Sequence, residues 1–250
     1  MINLELVPRD IPTLIQDSQW ALNTIPDIKR INVPDVLRID HRSYDTCIEL
    51  AQHNCNSIPH IRIIDFSQED LIALCHKLLN NNVNQVLLIS GDPPPNALQP
   101  IFQHHLPNII KTITTTIPNL TVYAGCDPYR QNFQDEINYC NQKIEAGAKG
   151  LFTQPIFNPH LAAILLEQCN TCEWFIGISP VLTERSYKYW ITRNKVVFSP
   201  DFKLDLDFNI GIAKEILNVT QSFNQHNYLM PIKTDIKHYL SKLFNVTEPA

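Results

Sequence analysis

The sequence predicts an α/β protein, a single-domain (β/α)8 (TIM) barrel over residues 1–250, and three observations support this. Short runs rich in Val, Ile and Leu alternate with longer segments of helical period, giving eight strand-then-helix units. A chain of 250 residues with 44% hydrophobic content suits one barrel domain better than two small domains. Finally, the six glycines form no G-x-G-x-x-G or P-loop motif, which disfavours an open doubly wound sheet.

The eight strands are predicted from short apolar runs, and helices are expected to fill most of the intervals. The predicted strands are residues 4–7, 30–33, 60–64, 85–90, 121–125, 150–155, 174–179 and 228–232. Residues 68–79 and 135–146 show helical periodicity, and Gly147 suits the position just after a helix end. Residues 194–207 have no regular period and are predicted to form a long loop, a candidate lid, before the last helix and strand.

Charge and composition exclude several classes of partner. The net charge of −5 and the pI near 6.0 provide no basic excess for nucleic acid or anionic lipid. No apolar run is long enough for a membrane span, and no signal-peptide pattern is found at the start, so we expect a cytoplasmic protein. Seven scattered cysteines do not suggest a disulfide framework. Barrels of this kind often form homo-oligomers, and the sequence leaves the number of subunits open.

Polar residues are concentrated where the predicted strands end, the part of such a barrel at which chemistry occurs because the loops converge there. These residues are Glu5, Asp35, His60, Asp65, Asp92, Asp127, Gln154, Ser179 and Lys233. Helix capping is the simplest interpretation of the aspartates at positions 35, 65 and 127.

Glu5 and Gln154 stand out from this group. Glu5 lies within an apolar strand, where an unpaired carboxylate is costly, so it must have a partner, a raised pKa or a ligand. Gln154 offers both an amide donor and an acceptor, which suits the amide edge of a heterocycle, although a satisfied core amide is the alternative.

Six stretches, found in this order, resemble the methylenetetrahydrofolate reductase family over most of the chain. They are Leu4-Glu5-Leu6-Val7-Pro8-Arg9, Ile58-Pro59-His60, Ile89-Ser90-Gly91-Asp92-Pro93-Pro94, Lys143-Ile144-Glu145-Ala146-Gly147-Ala148, Phe152-Thr153-Gln154-Pro155-Ile156-Phe157 and Gly177-Ile178-Ser179-Pro180-Val181. Each stretch alone is weak, whereas the ordered combination is specific.

The resemblance implies a (β/α)8 barrel that uses FAD and NAD(P)H to reduce 5,10-methylenetetrahydrofolate to 5-methyltetrahydrofolate. Glu5 then matches the general acid that assists opening of the bridging ring of the folate. Asp92 matches a catalytic aspartate between flavin and pterin, and Gln154 matches a glutamine that binds the substrate. Lys233 falls where the family has a basic residue facing the glutamate tail of the folate.

The resemblance also implies a set of cofactor-binding residues. These are His60, Ser90, Gly91, Asp92, Cys126 and Lys143. The chain departs from the family in four places. Ser90 replaces the arginine of an Arg-Gly-Asp turn, the segment after the fifth strand lacks a His-Pro-Glu sequence, Pro34-Asp35 replaces a Thr-Tyr pair, and residues 183–190 have no counterpart in the family. Arg130 is a candidate to replace the lost charge.

These departures keep two alternatives open. One is a flavin-free relative that reduces the folate directly from a nicotinamide or transfers a methyl group. The other is a non-catalytic folate-binding partner. No metal site is expected, because Cys169 and Cys172 form a single C-x-x-C without a second such pair.

Overall fold

The computed structural model describes residues 1–93, 101–168 and 172–248, and in it eight parallel strands close into a barrel in chain order. Closure comes from pairing of the first strand with the last. The strands are β1 Ile2–Glu5, β2 Ile28–Val33, β3 Ser57–Arg62, β4 Gln85–Ile89, β5 Thr121–Cys126, β6 Gly150–Pro155, β7 Glu173–Ile178 and β8 His226–Leu229. The predicted barrel is therefore confirmed.

Helices surround the barrel and connect successive strands. They are α1 Ile11–Thr24, α2 Ser43–Gln52, α3 Gln68–Asn80, α4 Leu106–Thr116, α5 Phe133–Glu145, α6 Pro159–Gln168, α7 Glu184–Asn194, α8 Leu206–Ser222 and α9 Ile236–Phe244, with a short 3-10 helix, Ile63–Asp65, after β3. Side-chain oxygens accept backbone N–H bonds at several helix starts, for example Asp10 at α1 and Ser67 at α3. In the described residues, no helix combines the length and apolarity required to cross a bilayer.

The predicted and observed strand bounds differ most at β1, β2, β3 and β8: β2 begins two residues and β3 three residues earlier than predicted. β1 and β8 each begin two residues earlier than predicted, because the apolar runs extend past the hydrogen-bonded ladder into buried residues such as Leu6 and Met230. β6 has the predicted bounds. Gly147 has a φ of +109° just after α5, as expected for a residue that ends a helix.

The barrel interior is filled by large side chains, so it is a packed core and not a channel. The interior cluster contains Ile58, Leu87, Tyr123, Phe152, Phe175, Tyr228 and Met230. Phe152 and Phe175 stack with their ring centroids 4.1 Å apart, and Tyr228 packs edge-on against Phe152 at 5.2 Å. The pairing of β6 with β7 shifts register between Phe152 and Pro155, and Gln154 in this irregular part of the strand is exposed.

The predicted irregular loop, residues 195–205 between α7 and α8, packs onto the barrel through aromatic rings. Phe198 lies 4.9 Å from Phe157 and 4.4 Å from Phe202, measured between ring centroids. Trp190 contacts the same Phe157 ring at 5.4 Å. This loop is therefore attached at the carboxyl end of β6 by apolar packing.

Candidate active site

A hydrogen-bonded polar network occupies the carboxyl end of the barrel interior and joins the first strand to the last. The Tyr228 hydroxyl on β8 donates a short hydrogen bond to Oε2 of Glu5 at the end of β1. Barrel closure makes this contact, because Tyr228 pairs in register with Asn3 of β1. The partner that the sequence required for Glu5 is thus a residue 223 positions away.

The network continues onto β2 and β3. Asn3 donates its side-chain amide to Oδ1 of Asn32 at 2.8 Å, and the amide of Asn32 contacts Nε2 of His60 at 3.1 Å. Tyr228 lies 3.5 Å from the same ring nitrogen. Burial lowers the pKa of His60 to about 3, so the imidazole is neutral near pH 7.

Glu5 has the electrostatic properties of a general acid. Burial raises the pKa of its carboxyl from 4.5 to about 7, and the hydrogen bond from Tyr228 opposes part of that rise. A carboxyl with a pKa near 7 is substantially protonated at neutral pH, so it can donate a proton to a bound substrate.

Gln154 and Lys233 lie in exposed positions at the same end of the barrel. Gln154 lies two residues after Phe152, near the carboxyl end of β6. Lys233 follows β8 in a left-handed turn with a φ of +55°. Ser179, just after β7, is buried, and its hydroxyl has no partner within the described part of the chain.

The Ser90-Gly91-Asp92 turn after β4 is held from below by Arg62 of β3. Nη2 of Arg62 donates to the backbone carbonyl of Asp92 at 2.5 Å, and Asp92 itself is exposed. Gly91 has a φ of +81°, and a Cβ there would lie 2.8 Å from Ile64 Cγ2. The glycine is therefore required by backbone conformation and by close packing.

Two of the aspartates interpreted as helix caps belong instead to a chain of ion pairs. Arg42 donates to Asp35 at 2.9 and 2.6 Å and to Asp65 at 2.8 Å, and Asp65 also pairs with Arg62 at 3.0 Å. The capping interpretation is wrong for Asp35, Asp65 and Asp127, because the N-cap residues of α2, α3 and α5 are Arg42, Ser67 and Asn132. At Asp127 the carboxylate accepts the N–H of Tyr129, two residues on, forming a local turn.

Cys126 and Lys143 are buried between β5 and α5, away from the polar network. Lys143 is only 2% exposed, donates to the carbonyl of Gly125 at 2.7 Å and lies 3.7 Å from Glu136. Arg130, the candidate for the lost charge, pairs with Glu136 at 2.7 Å. The thiol of Cys126 is buried in the same place.

Cys126, Glu136 and Cys140 bring three metal-binding atoms within 4.8 Å of one another. Glu136, however, is already neutralised by the two cations Arg130 and Lys143. A divalent metal ion would be repelled by those cations, so the arrangement is that of a buried ion pair beside two thiols.

A cavity of about 410 Å³ opens between the ends of β3 and β4. Its lining consists of Ile63, Ile64, Ser90, Gly91, Phe102, Gln103, His104 and His105. The imidazole of His104 bonds to the carbonyl of Phe66 at 2.9 Å and stacks on Phe102. The cavity thus has apolar walls and a polar edge to which Ser90 and Gly91 of the turn contribute.

Four residues of this region were missed by the sequence analysis: Asn3, Asn32, Arg62 and Tyr228. Each is polar and lies within an apolar strand, which is the signal that identified Glu5. The same test applied to every strand would have found Asn32 and Arg62. Tyrosine is common in strands, so Tyr228 carries a weaker signal.

Gly91→Ala is expected to destabilise the fold by about 1–3 kcal/mol, because alanine tolerates a positive φ poorly and its Cβ would collide with Ile64. Denaturant unfolding measures this change. Gly211→Ala is the matched control, since Gly211 lies in α8 with no heavy atom within 4 Å of an added Cβ. That substitution should stabilise the helix by roughly 0.5–1 kcal/mol. Equal effects at both positions would contradict the strain at Gly91.

The closed parallel sheet with its surrounding helices is a (β/α)8 barrel, and ionisable and amide side chains lie at its carboxyl end. Enzymes with this fold bind their small-molecule substrates at that end. The model of the family "Methylenetetrahydrofolate reductase" matches residues 39–197, more than half of the chain, and the chain belongs to this family. The matched segment contains His60, Asp92 and Gln154, whereas Glu5 and Tyr228 lie outside it.

Similarity to individual relatives is low and partial. The 5,10-methylenetetrahydrofolate reductases of Salmonella typhimurium and Escherichia coli are each 23% identical over 128 residues, covering 49% of this chain and 43% of the relative. That of Buchnera aphidicola is 25% identical over 103 residues, covering 41% of this chain and 35% of the relative. The matched part therefore spans less than half the length of these relatives.

Solved structures share the fold at very low identity. Orotidine 5'-phosphate decarboxylase from Pyrococcus horikoshii OT3 has a TM-score of 0.59 at 10% identity, covering 98% of this chain and all of that one. Oxaloacetate acetylhydrolase with the product oxalate has a TM-score of 0.61 at 8% identity, covering 96% and 78% of the two chains. These similarities support the barrel alone.

Proposed function

We propose that this protein reduces 5,10-methylenetetrahydrofolate to 5-methyltetrahydrofolate, with NAD(P)H as the source of electrons and a bound flavin. The observation that carries the proposal is Glu5: within a barrel of this family, a carboxyl with a pKa of about 7 stands at the mouth. An acid of that strength suits a reaction in which a ring must open at neutral pH.

The role of Glu5 follows from the structures of substrate and product. The methylene group bridges two nitrogens of the folate, N5 and N10, and ends as a methyl group on N5, so its bond to N10 must break. Glu5 donates a proton to N10 as that bond breaks, which leaves an electrophilic iminium carbon on N5. The carbon then accepts a hydride, and Glu5 is left as the carboxylate.

The polar residues around Glu5 provide for substrate binding. Gln154, exposed near the carboxyl end of β6, offers an amide donor and acceptor to the pterin ring. Asp92 stands exposed on the turn above Arg62 and is assigned to the contact between pterin and flavin. Lys233, an exposed cation after β8, suits the carboxylates of the glutamate tail.

The cavity between β3 and β4 fits the ring system of a flavin, because Ile63, Ile64 and Phe102 give it apolar walls. Ser90 and Gly91 form the polar edge that would hold the rings, with Asp92 next in the same turn and His60 on the neighbouring strand. Cys126 and Lys143 lie between β5 and α5, so they would support the cofactor site indirectly. Lys143 does so by fixing the position of the Gly125 carbonyl on β5. When bound, the flavin would supply the hydride.

An absorption spectrum of the purified protein tests the cofactor directly. We expect flavin bands in the protein as isolated or after addition of FAD, bleached by NAD(P)H without oxygen and restored by methylenetetrahydrofolate. Ser90→Tyr, which would fill the polar edge of the cavity, should weaken FAD binding, whereas Lys77→Gln on exposed α3 should not. A colourless protein that fails to bind added FAD would exclude the flavin.

A flavin-free reductase is the second candidate, and the arginine pairing favours it. Arg42 and Arg62 pair with Asp35 and Asp65, and Arg130 pairs with Glu136, so these three mouth arginines are committed to carboxylates. A cofactor pyrophosphate would have to compete for them. Reduction of the folate by NAD(P)H that persists after complete removal of flavin would establish this second candidate.

A further inference from the structure

We propose that Tyr228 is a positioning residue for Glu5, holding one carboxyl oxygen so that the other presents its proton to the mouth of the barrel. The contact is made by Oε2, which accepts the Tyr228 hydroxyl. A carboxyl group has two oxygens, so fixing Oε2 leaves Oε1 to carry the transferable proton. The identity of the proton acceptor rests on the proposed function; the contact itself does not.

The direction of the Tyr228 hydroxyl is set by amides on neighbouring strands. Asn3 donates to Oδ1 of Asn32, so the Asn32 amide nitrogen faces His60 and donates to Nε2. The ring nitrogen then acts as an acceptor, and the neutral imidazole carries its proton on Nδ1. The Asn32 amide already occupies Nε2 of His60 at 3.1 Å, and the Tyr228 hydroxyl lies farther from this nitrogen, at 3.5 Å. The hydroxyl therefore donates its hydrogen bond to Glu5.

Tyr228 is the hydrogen-bond partner of the Glu5 carboxyl and the main control of its acidity. Asn32 of β2 pairs in register with Glu5, His60 of β3 contacts Asn32 and Tyr228, and Gly177 of β7 lies at the same level as Tyr228. His60 is neutral, and burial raises the pKa of Tyr228 well above its usual value, so it remains a donor. The hydroxyl therefore stabilises the carboxylate form of Glu5 against the effect of burial.

The test is Tyr228→Phe, which removes the hydroxyl and keeps the ring that packs on Phe152. We expect kcat to fall about 10-fold, the size of effect typical of losing one hydrogen bond to a charged group, with little change in KM. Loss of the bond raises the pKa of Glu5. The alkaline limb of the pH-rate profile, where Glu5 loses its proton, should therefore move to higher pH.

Tyr123→Phe is the matched control, because Tyr123 packs edge-on against the same Phe152 ring at 5.3 Å and its hydroxyl contacts Glu173 instead of Glu5. It should leave the alkaline limb unchanged. An unmoved limb in Tyr228→Phe, or the same shift in both variants, would overturn the positioning role.

A second readout separates this proposal from the proposed function. In protein with ¹³C-labelled glutamate carboxyls, the Glu5 signal is identified by its loss in Glu5→Gln, and its titration requires no turnover. A higher titration midpoint in Tyr228→Phe supports the role of Tyr228 even if folate is not reduced. An unchanged midpoint refutes it, whatever the activity.

Discussion

Glu5→Gln will lower kcat for methylenetetrahydrofolate reduction by about 10²–10⁴-fold, the usual contribution of a general acid. The amide has nearly the shape of the protonated carboxyl and can still accept the Tyr228 hydroxyl, so the barrel and folate binding should persist. Steady-state kinetics gives the loss of kcat, and calorimetry with folate checks binding. Glu49→Gln, a change at an exposed position of α2, is the control and should be silent.

The same carboxyl predicts how wild-type activity depends on pH. Glu5 must be protonated to act, so kcat should fall as the pH rises through about 7, and this limb should be absent from the residual activity of Glu5→Gln. The contribution of Glu5 to the free energy of unfolding also decreases as the pH rises. Because folding raises its pKa from 4.5, that contribution is full below pH 4.5 and is lost as the pH passes 7. A wild-type rate that increases steadily across this range would contradict the assignment.

Glu136→Gln is expected to destabilise the protein by about 3–5 kcal/mol, the typical cost of breaking a buried ion pair by removing one partner. Glu136 is 1% exposed and accepts bonds from Arg130, Gln131 and the backbone of Asp127. Without its charge, Lys143 remains buried with the Gly125 carbonyl as its main partner. Burial already lowers the pKa of Lys143, so the variant should also favour its neutral form.

Denaturant unfolding measures this loss, and an exposed ion pair provides the control. Lys77 pairs with Asp45 at 2.8 Å, with both side chains more than half exposed. Asp45→Asn should therefore cost no more than about 1 kcal/mol. If Glu136→Gln costs as little as the control, the buried ion pairs of Glu136 with Arg130 and Lys143 do not contribute appreciably to the stability of the fold.

The fold was predictable because it is encoded by local periodicity. Each strand is a short apolar run, and each helix between strands follows a period of 3.6 residues, so the order of elements follows directly from the chain. The largest errors fall at β1, β2, β3 and β8, and at β1 and β8 buried apolar residues continue beyond the paired backbone. Hydrophobicity reports burial, whereas a strand end is set by hydrogen bonding, which the pattern does not encode.

The candidate site was predictable only in part. Glu5 and Gln154 could be singled out because each is polar in an apolar run, and both lie at or near the carboxyl ends of their strands. Lys143 and Cys126 were grouped with them by resemblance, yet their side chains are buried between β5 and α5. Asp35 and Asp65 are bound by arginines instead of capping helices.

The sequence by itself determined the barrel, the end at which polar groups collect and the need of Glu5 for a partner. Only the tertiary structure decided that the partner is Tyr228, since closure joins the last strand to the first across 223 residues. It also decided that Arg62 supports the turn at Asp92. The physical reason is that burial cost is a property of one residue in its own strand, whereas pairing depends on which distant strands the barrel brings into contact.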